Sequence, residues 1–254
     1  MLQPKLIELL EELLALGGNH DSTKTIKMRN KFFDYIRAEE FVLNRLDDEN
    51  FILATDAIRL IDAHNIFASK TNQREASIHL KPFFDRINET QINTWNRYEL
   101  RFLINSIHLT GAVEKAVELS EKAMKSLVKF YENKEQMECA LACNMCAHLL
   151  YTKYFCTNID LNLLANEFKI WLRRLEKVAE NDNDSKLPLM LLVTKIREAL
   201  FHQSAHEAHQ LHGELEKYYD EAIAKSINNE IHSYTTAKEY TSFGLKDQGV
   251  MFNV

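Results

Sequence analysis

The sequence predicts an all-α protein, a right-handed superhelical array of helix hairpins of the tetratricopeptide-like kind. Three observations carry that expectation. Apolar residues recur at helical spacing along nearly the whole chain, as in Leu100, Leu103, Ile104 and Ile107. Six Gly and three Pro in 254 residues are too few for the turns of a sheet or for a glycine-rich phosphate loop. Finally, LRFLINSIHL from Leu100, ALACNMCAHLL from Ala140 and LMLLVTKIREAL from Leu189 superpose without gaps, which puts Asn105, Asn144 and Thr194 at one equivalent position. The repeat is therefore about 40 residues, longer than the roughly 34 of a tetratricopeptide unit.

Each element has its own signals. Pro4 suits a first helical turn, and Leu6, Ile7, Leu10, Leu13 and Leu14 form an apolar stripe ended by Gly17 and Gly18. A second helix is expected over 25–46, with Phe32, Phe33 and Ile36 inward, broken by Asp47, Asp48 and Glu49. A third covers 51–69. A fourth covers 72–88, and Pro82 within it should kink or divide it by removing a backbone donor. The organising stretch is 95–154: a helix, a turn at Thr110–Gly111, a second helix and a third that echoes the first. Helices over 161–179, 187–201 and 205–227 follow, then a last one beyond Asn228 and Asn229 and a tail from Leu245. The chain reads as a single domain over 1–254, with N-terminal helices in 1–90, core repeats in 91–227 and a C-terminal helix and tail in 228–254.

Composition narrows the function. A formal net charge of -6 is the wrong sign for a stand-alone nucleic-acid binder, which must displace counterions from phosphate. No apolar run approaches the roughly 20 residues that span a bilayer, and the acidic first helix is unlike a signal peptide. Four cysteines in apolar helical segments suit a reducing cytoplasm. No membrane partner and no cofactor are expected.

The candidate site lies on the first helices of the core hairpins. Arg97 and Arg101 flank Tyr98, and Arg101 and Asn105 share a helical face. Asn144, His148 and Tyr151 repeat that geometry one hairpin later. Asn can pair with both peptide N–H and C=O, and Arg can grip a carboxylate through two parallel bonds, so these six residues suit an extended peptide. The alternative is that the same groups satisfy one another inside the array. His202, His206, His209 and His212 place imidazoles on one stretch, but the spacing is not that of a zincin and no partner carboxylate is evident, so no metal is expected. Cys143 and Cys146 form a C-x-x-C without a second pair, which reads as buried thiols. No nucleophile–base or paired-carboxylate arrangement emerges from local spacing, and no enzyme is expected.

The segment ETQINTWNRYELRFLINSIHLTGAVEKAVELSEKAM resembles the C-terminal regulatory domain of the Rgg/GadR/MutR transcriptional regulators of Gram-positive bacteria. Trp95, Tyr98, Glu99, Leu100 and Asn105 carry the resemblance, which is clearest over 88–154. It implies a quorum-sensing, transcription-regulating helical domain that forms a homodimer and binds a short peptide pheromone on its concave face. Asn144, then Asn105, would hold the peptide backbone, and Arg101 a peptide carboxylate. The departure from the family is the N-terminal region. Residues 1–50 show no basic recognition helix, so DNA would be reached only through a helix-turn-helix domain not seen in this chain. The competing expectation is a helical-repeat scaffold for protein–protein interaction without a small ligand.

Overall fold

The computed structural model describes residues 2–16, 22–38, 48–70, 73–91, 94–129, 134–156, 159–180 and 186–236. Among these every regular element is helical: α1 (Pro4–Ala15), α2 (Ser22–Ala38), α3 (Glu49–Lys70), α4 (Gln73–Glu89), α5 (Arg97–Ser106) with a 3-10 segment at Ile107–Leu109, α6 (Val113–Leu127), α7 (Lys134–Phe155), α8 (Leu161–Ala179), α9 (Lys186–Phe201), α10 (Ala205–Tyr218) and α11 (Glu221–Thr236). The all-α expectation therefore holds. No described helix is long and apolar enough to cross a membrane.

Consecutive helices pack in pairs, α3 on α4, α5 on α6, α7 on α8 and α9 on α10. The first member of each pair also touches the first member of the next: α3 meets α5, α5 meets α7, α7 meets α9 and α9 meets α11. Helix α7 is the centre of this pattern and packs on α5, α6, α8 and α9. That explains its composition. Leu141, Cys143, Met145, Cys146, Leu149 and Leu150 are all fully buried, so α7 is apolar around most of its circumference rather than along one stripe. Helices α6 and α8, with one buried face each, keep the amphipathic pattern.

Local chemistry sets the ends. Asp48 accepts from the N–H of Asn50 at 2.8 Å and starts α3. Asp160 accepts from Asn162 N at 2.9 Å and Leu163 N at 3.1 Å and starts α8. Gly111, at φ +76°, turns the chain between the 3-10 segment and α6, and a Cβ there would lie 2.9 Å from Ser77 Oγ.

Two expectations are corrected. Pro82 does not divide α4, which runs unbroken through it. The donor it removes would have bonded the carbonyl of Ile78, and Ile78 and Pro82 both lie on the exposed face, where water can serve that carbonyl. The helix expected over 205–227 ends instead at Tyr218, and α11 runs straight through Asn228 and Asn229. Asp220 takes the N–H of Ala222 at 2.7 Å, so the break follows the cap rather than the Asn pair. Ser185 and the acidic run before it, the end of the second expected helix and the C-terminal tail lie outside the described residues.

Candidate functional site

The Trp95–Leu100 motif is a helix start tied to three other helices. Asn96 caps α5, accepting from Tyr98 N at 2.9 Å and Glu99 N at 3.0 Å, while Glu99 returns a bond from Asn96 N at 2.9 Å. Glu99 also pairs with Arg86 of α4, and Arg86 bonds Asp56 of α3 at 2.6 Å. Arg59 adds a second bond to Asp56 at 3.0 Å. Burial pushes the Asp56 carboxyl up against the opposing pull of Arg86 and Arg59. Trp95 and Leu100 are core residues, 3% and 0% exposed.

The opposite side of α5 carries the predicted Arg97 and Arg101, and the structure brings them together on a residue that sequence reasoning missed. Arg97 pairs with Glu11 of α1, Tyr98 Oη donates to the same carboxylate at 2.8 Å, and Arg101 Nη1 donates at 3.2 Å. Partial burial raises the Glu11 carboxyl, but the bonds from Tyr98 and Arg101 and the two guanidinium charges outweigh it and hold the group below its ordinary value.

The predicted residues of α7 sit elsewhere. Asn144 is 0% exposed and its Nδ2 donates to Ile104 O of α5 at 3.1 Å. His148 is 1% exposed, with Nδ1 3.2 Å from His108 O and 3.1 Å from Gln73 Nε2, and Nε2 has no hydrogen-bond partner among the described residues. Gln73 Nε2 in turn donates to His108 O at 2.6 Å. Burial, only partly offset by the His108 carbonyl, lowers His148 to about 4. Asn105 is also buried, 3% exposed. Tyr151 is half-buried against Phe67 and Phe155, its ring centroid 5.8 Å and 5.0 Å from theirs, and burial pushes its hydroxyl up to about 12. Asn105, Asn144 and His148 thus lie inside the joint between hairpins and not on an open surface. A peptide reaches them only if that joint parts. Arg97, Arg101 and Tyr151 keep solvent-facing area.

One joint further on, an ion pair between α9 and α11 is buried against α7. Arg197 is fully buried and pairs with Glu230 at 2.8 Å and 3.1 Å. It also reaches Cys143 O at 3.4 Å, and Thr194 Oγ1 lies 3.1 Å from Cys143 Sγ. Cys139, Cys143 and Cys146 are fully buried and form no disulfide, and desolvation raises the thiols of Cys143 and Cys146, which makes them poor nucleophiles.

The histidine stretch does not converge. His206 and His209 face solvent, whereas His212 turns inward and donates from Nε2 to Ala224 O at 2.8 Å. Among the described residues no group of three or more His, Cys, Asp or Glu is placed as metal ligands would be. A cavity of about 210 Å³ lies between the ends of α7, α9 and α11, lined by Tyr154, Leu200, Gln203, Ala205, Tyr234 and Thr235. No family model, no curated protein and no solved structure matches the chain.

Proposed function

We propose that the chain is a peptide-responsive regulatory domain of the kind carried by Rgg/GadR/MutR transcriptional regulators. In this reading it is a right-handed superhelical array of tetratricopeptide-like hairpins that works in the cytoplasm as a homodimer. It reaches DNA only through a separate helix-turn-helix domain.

The observation that supports this reading is the position of α5. Its N-terminus is tied to α1, α3 and α4 through Glu11, Asp56 and Arg86, its Ile104 carbonyl receives Asn144 of α7, and the His108 carbonyl of the 3-10 segment that continues it receives His148. A shift of α5 is therefore felt on both sides of the chain. A peptide that favours one arrangement of these joints acts by its differential affinity for that arrangement, and by no more than that. Arg97, Arg101 and Tyr151 meet the peptide from solvent. Asn105, Asn144 and His148 respond through the joint they occupy.

A second reading, an interaction scaffold without a small ligand, draws support from the burial of Asn144 and His148, because the joint is closed without any ligand. Calorimetric titration separates the two. Short hydrophobic peptides, each with a free and with a capped C-terminus, are titrated into the purified chain. The regulatory reading expects binding by at least one of them, weakened about tenfold or more (~1.4 kcal/mol) by Tyr151→Ala. Absence of binding by every peptide would contradict it and leave the scaffold.

A further inference from the structure

Arg97, Tyr98 and Arg101 already hold a carboxylate, and it belongs to the chain itself. All three donors project from one turn of α5, and all three converge on Glu11. The arrangement is a receptor for a carboxylate, with two guanidinium groups and a hydroxyl sharing two oxygens. Its occupant comes from a helix that is anchored elsewhere. Helix α1 packs on α2 and α3, with Leu6 and Leu10 fully buried. Gln3 N donates to Asn50 Oδ1 at 2.8 Å, and Tyr35 Oη donates to Gln3 Oε1 at 2.7 Å. Glu11 can therefore swing out of the cradle while α1 stays in place.

We propose that Glu11 is an internal stand-in for a ligand carboxylate, occupying the Arg97–Tyr98–Arg101 cradle until a carboxylate of a bound peptide displaces it. The inference rests on the peptide-responsive reading above and adds its regulation. Three features support the exchange. The cradle is open on its Glu11–Arg97 side, where the side chains are 41% and 53% exposed, with Arg101 at 21% and Tyr98 at 4% forming its floor, so a ligand carboxylate enters from the side that Glu11 occupies. Exposed ion pairs contribute little net stability, so one carboxylate replaces another at small cost. One turn before Glu11, Ile7 is an exposed apolar side chain on the same face of α1, where an apolar residue next to the ligand's carboxylate can pack. Displacement cuts the link from α1 to α5 and leaves the capping bonds of Asn96 and Glu99 intact. Ligand arrival is thereby converted into a loosened contact between parts of the chain 86 to 90 residues apart.

The test uses the whole chain and three probes: N-acetyl-Leu-Leu-Leu as free acid, the same peptide as carboxamide, and N-acetyl-Leu-Glu-Leu carboxamide. Calorimetry compares wild type, Glu11→Ala and Glu11→Gln, each checked for an unchanged helical spectrum. Removing Glu11 should tighten binding of a carboxylate-bearing peptide about tenfold or more, with no gain for Leu-Leu-Leu carboxamide. Adding Arg101→Ala should erase the gain. The two acids separate a terminal carboxylate from a side-chain one. If both Glu11 variants bind the acids no better than wild type does, the inference is overturned. Equal binding of acid and amide by every variant would overturn it while leaving the peptide-responsive reading standing. Absence of any binding removes both.

Discussion

His148 shows what the joint does to a single residue. Unfolded, its imidazole titrates near 6.5; folded, burial lowers it to about 4. The unfolded chain then binds more protons than the folded one between those values, so stability rises with pH across that window. It is fully present above about 6.5 and is lost as pH falls toward 4, by up to about 3 kcal/mol. Urea unfolding of wild type and His148→Gln at a series of pH values reads this directly. The wild-type curve should fall more steeply over that range, and parallel curves would contradict the assignment. The Arg197–Glu230 pair makes a second residue-scale prediction. Glu230→Ala strands a buried guanidinium and should cost about 3–5 kcal/mol in urea unfolding. The double change Arg197→Met with Glu230→Leu should recover most of that loss, because an apolar pair of similar volume leaves no buried charge.

At the scale of the element, the helices were legible because their apolar periods and caps are local. Helix α5 begins at Asn96 with Glu99 three residues on, a signal present in the residues themselves. Asn96→Ala should cost about 1 kcal/mol, seen as a lower urea midpoint with an unchanged slope. The turn at Gly111 is equally local, although its tightness is not. Ser77 of α4 approaches from the far side, so Gly111→Ala meets both a left-handed backbone and a side chain at 2.9 Å. A loss of about 1–3 kcal/mol is expected in the same assay. What misled was reading the Asn228–Asn229 pair as a break and Pro82 as able to divide its helix. Whether a helix tolerates such residues depends on which face meets water and which neighbour supplies a cap, and those are tertiary facts.

At the scale of the whole molecule, the spacing of the repeats reappears as bonds. Asn144 reaches Ile104 O and His148 reaches His108 O, each across 40 residues, which is the offset read from the sequence for this joint, while at the next joint Cys143 meets Met190 and Arg197 across 47 and 54 residues. The candidate site was legible only in part. The residue types on α5 and α7 were identifiable, but their orientation was not. Helix α7 is enclosed on nearly all sides, and a helical face read as polar lining becomes interior when α5 and the 3-10 segment close over it and Gln73 at the start of α4 reaches His148. Glu11 left no signal, because a pairing across 86 to 90 residues has no spacing rule. In the proposed function α5 transmits ligand binding to the joints on either side. Hydrogen exchange by mass spectrometry, with and without a peptide that binds in calorimetry, tests it most directly. Altered protection in α1, α5 and α7 together is the expected result. A change confined to the residues touching the peptide, with Asn144 and His148 segments unaltered, would contradict it.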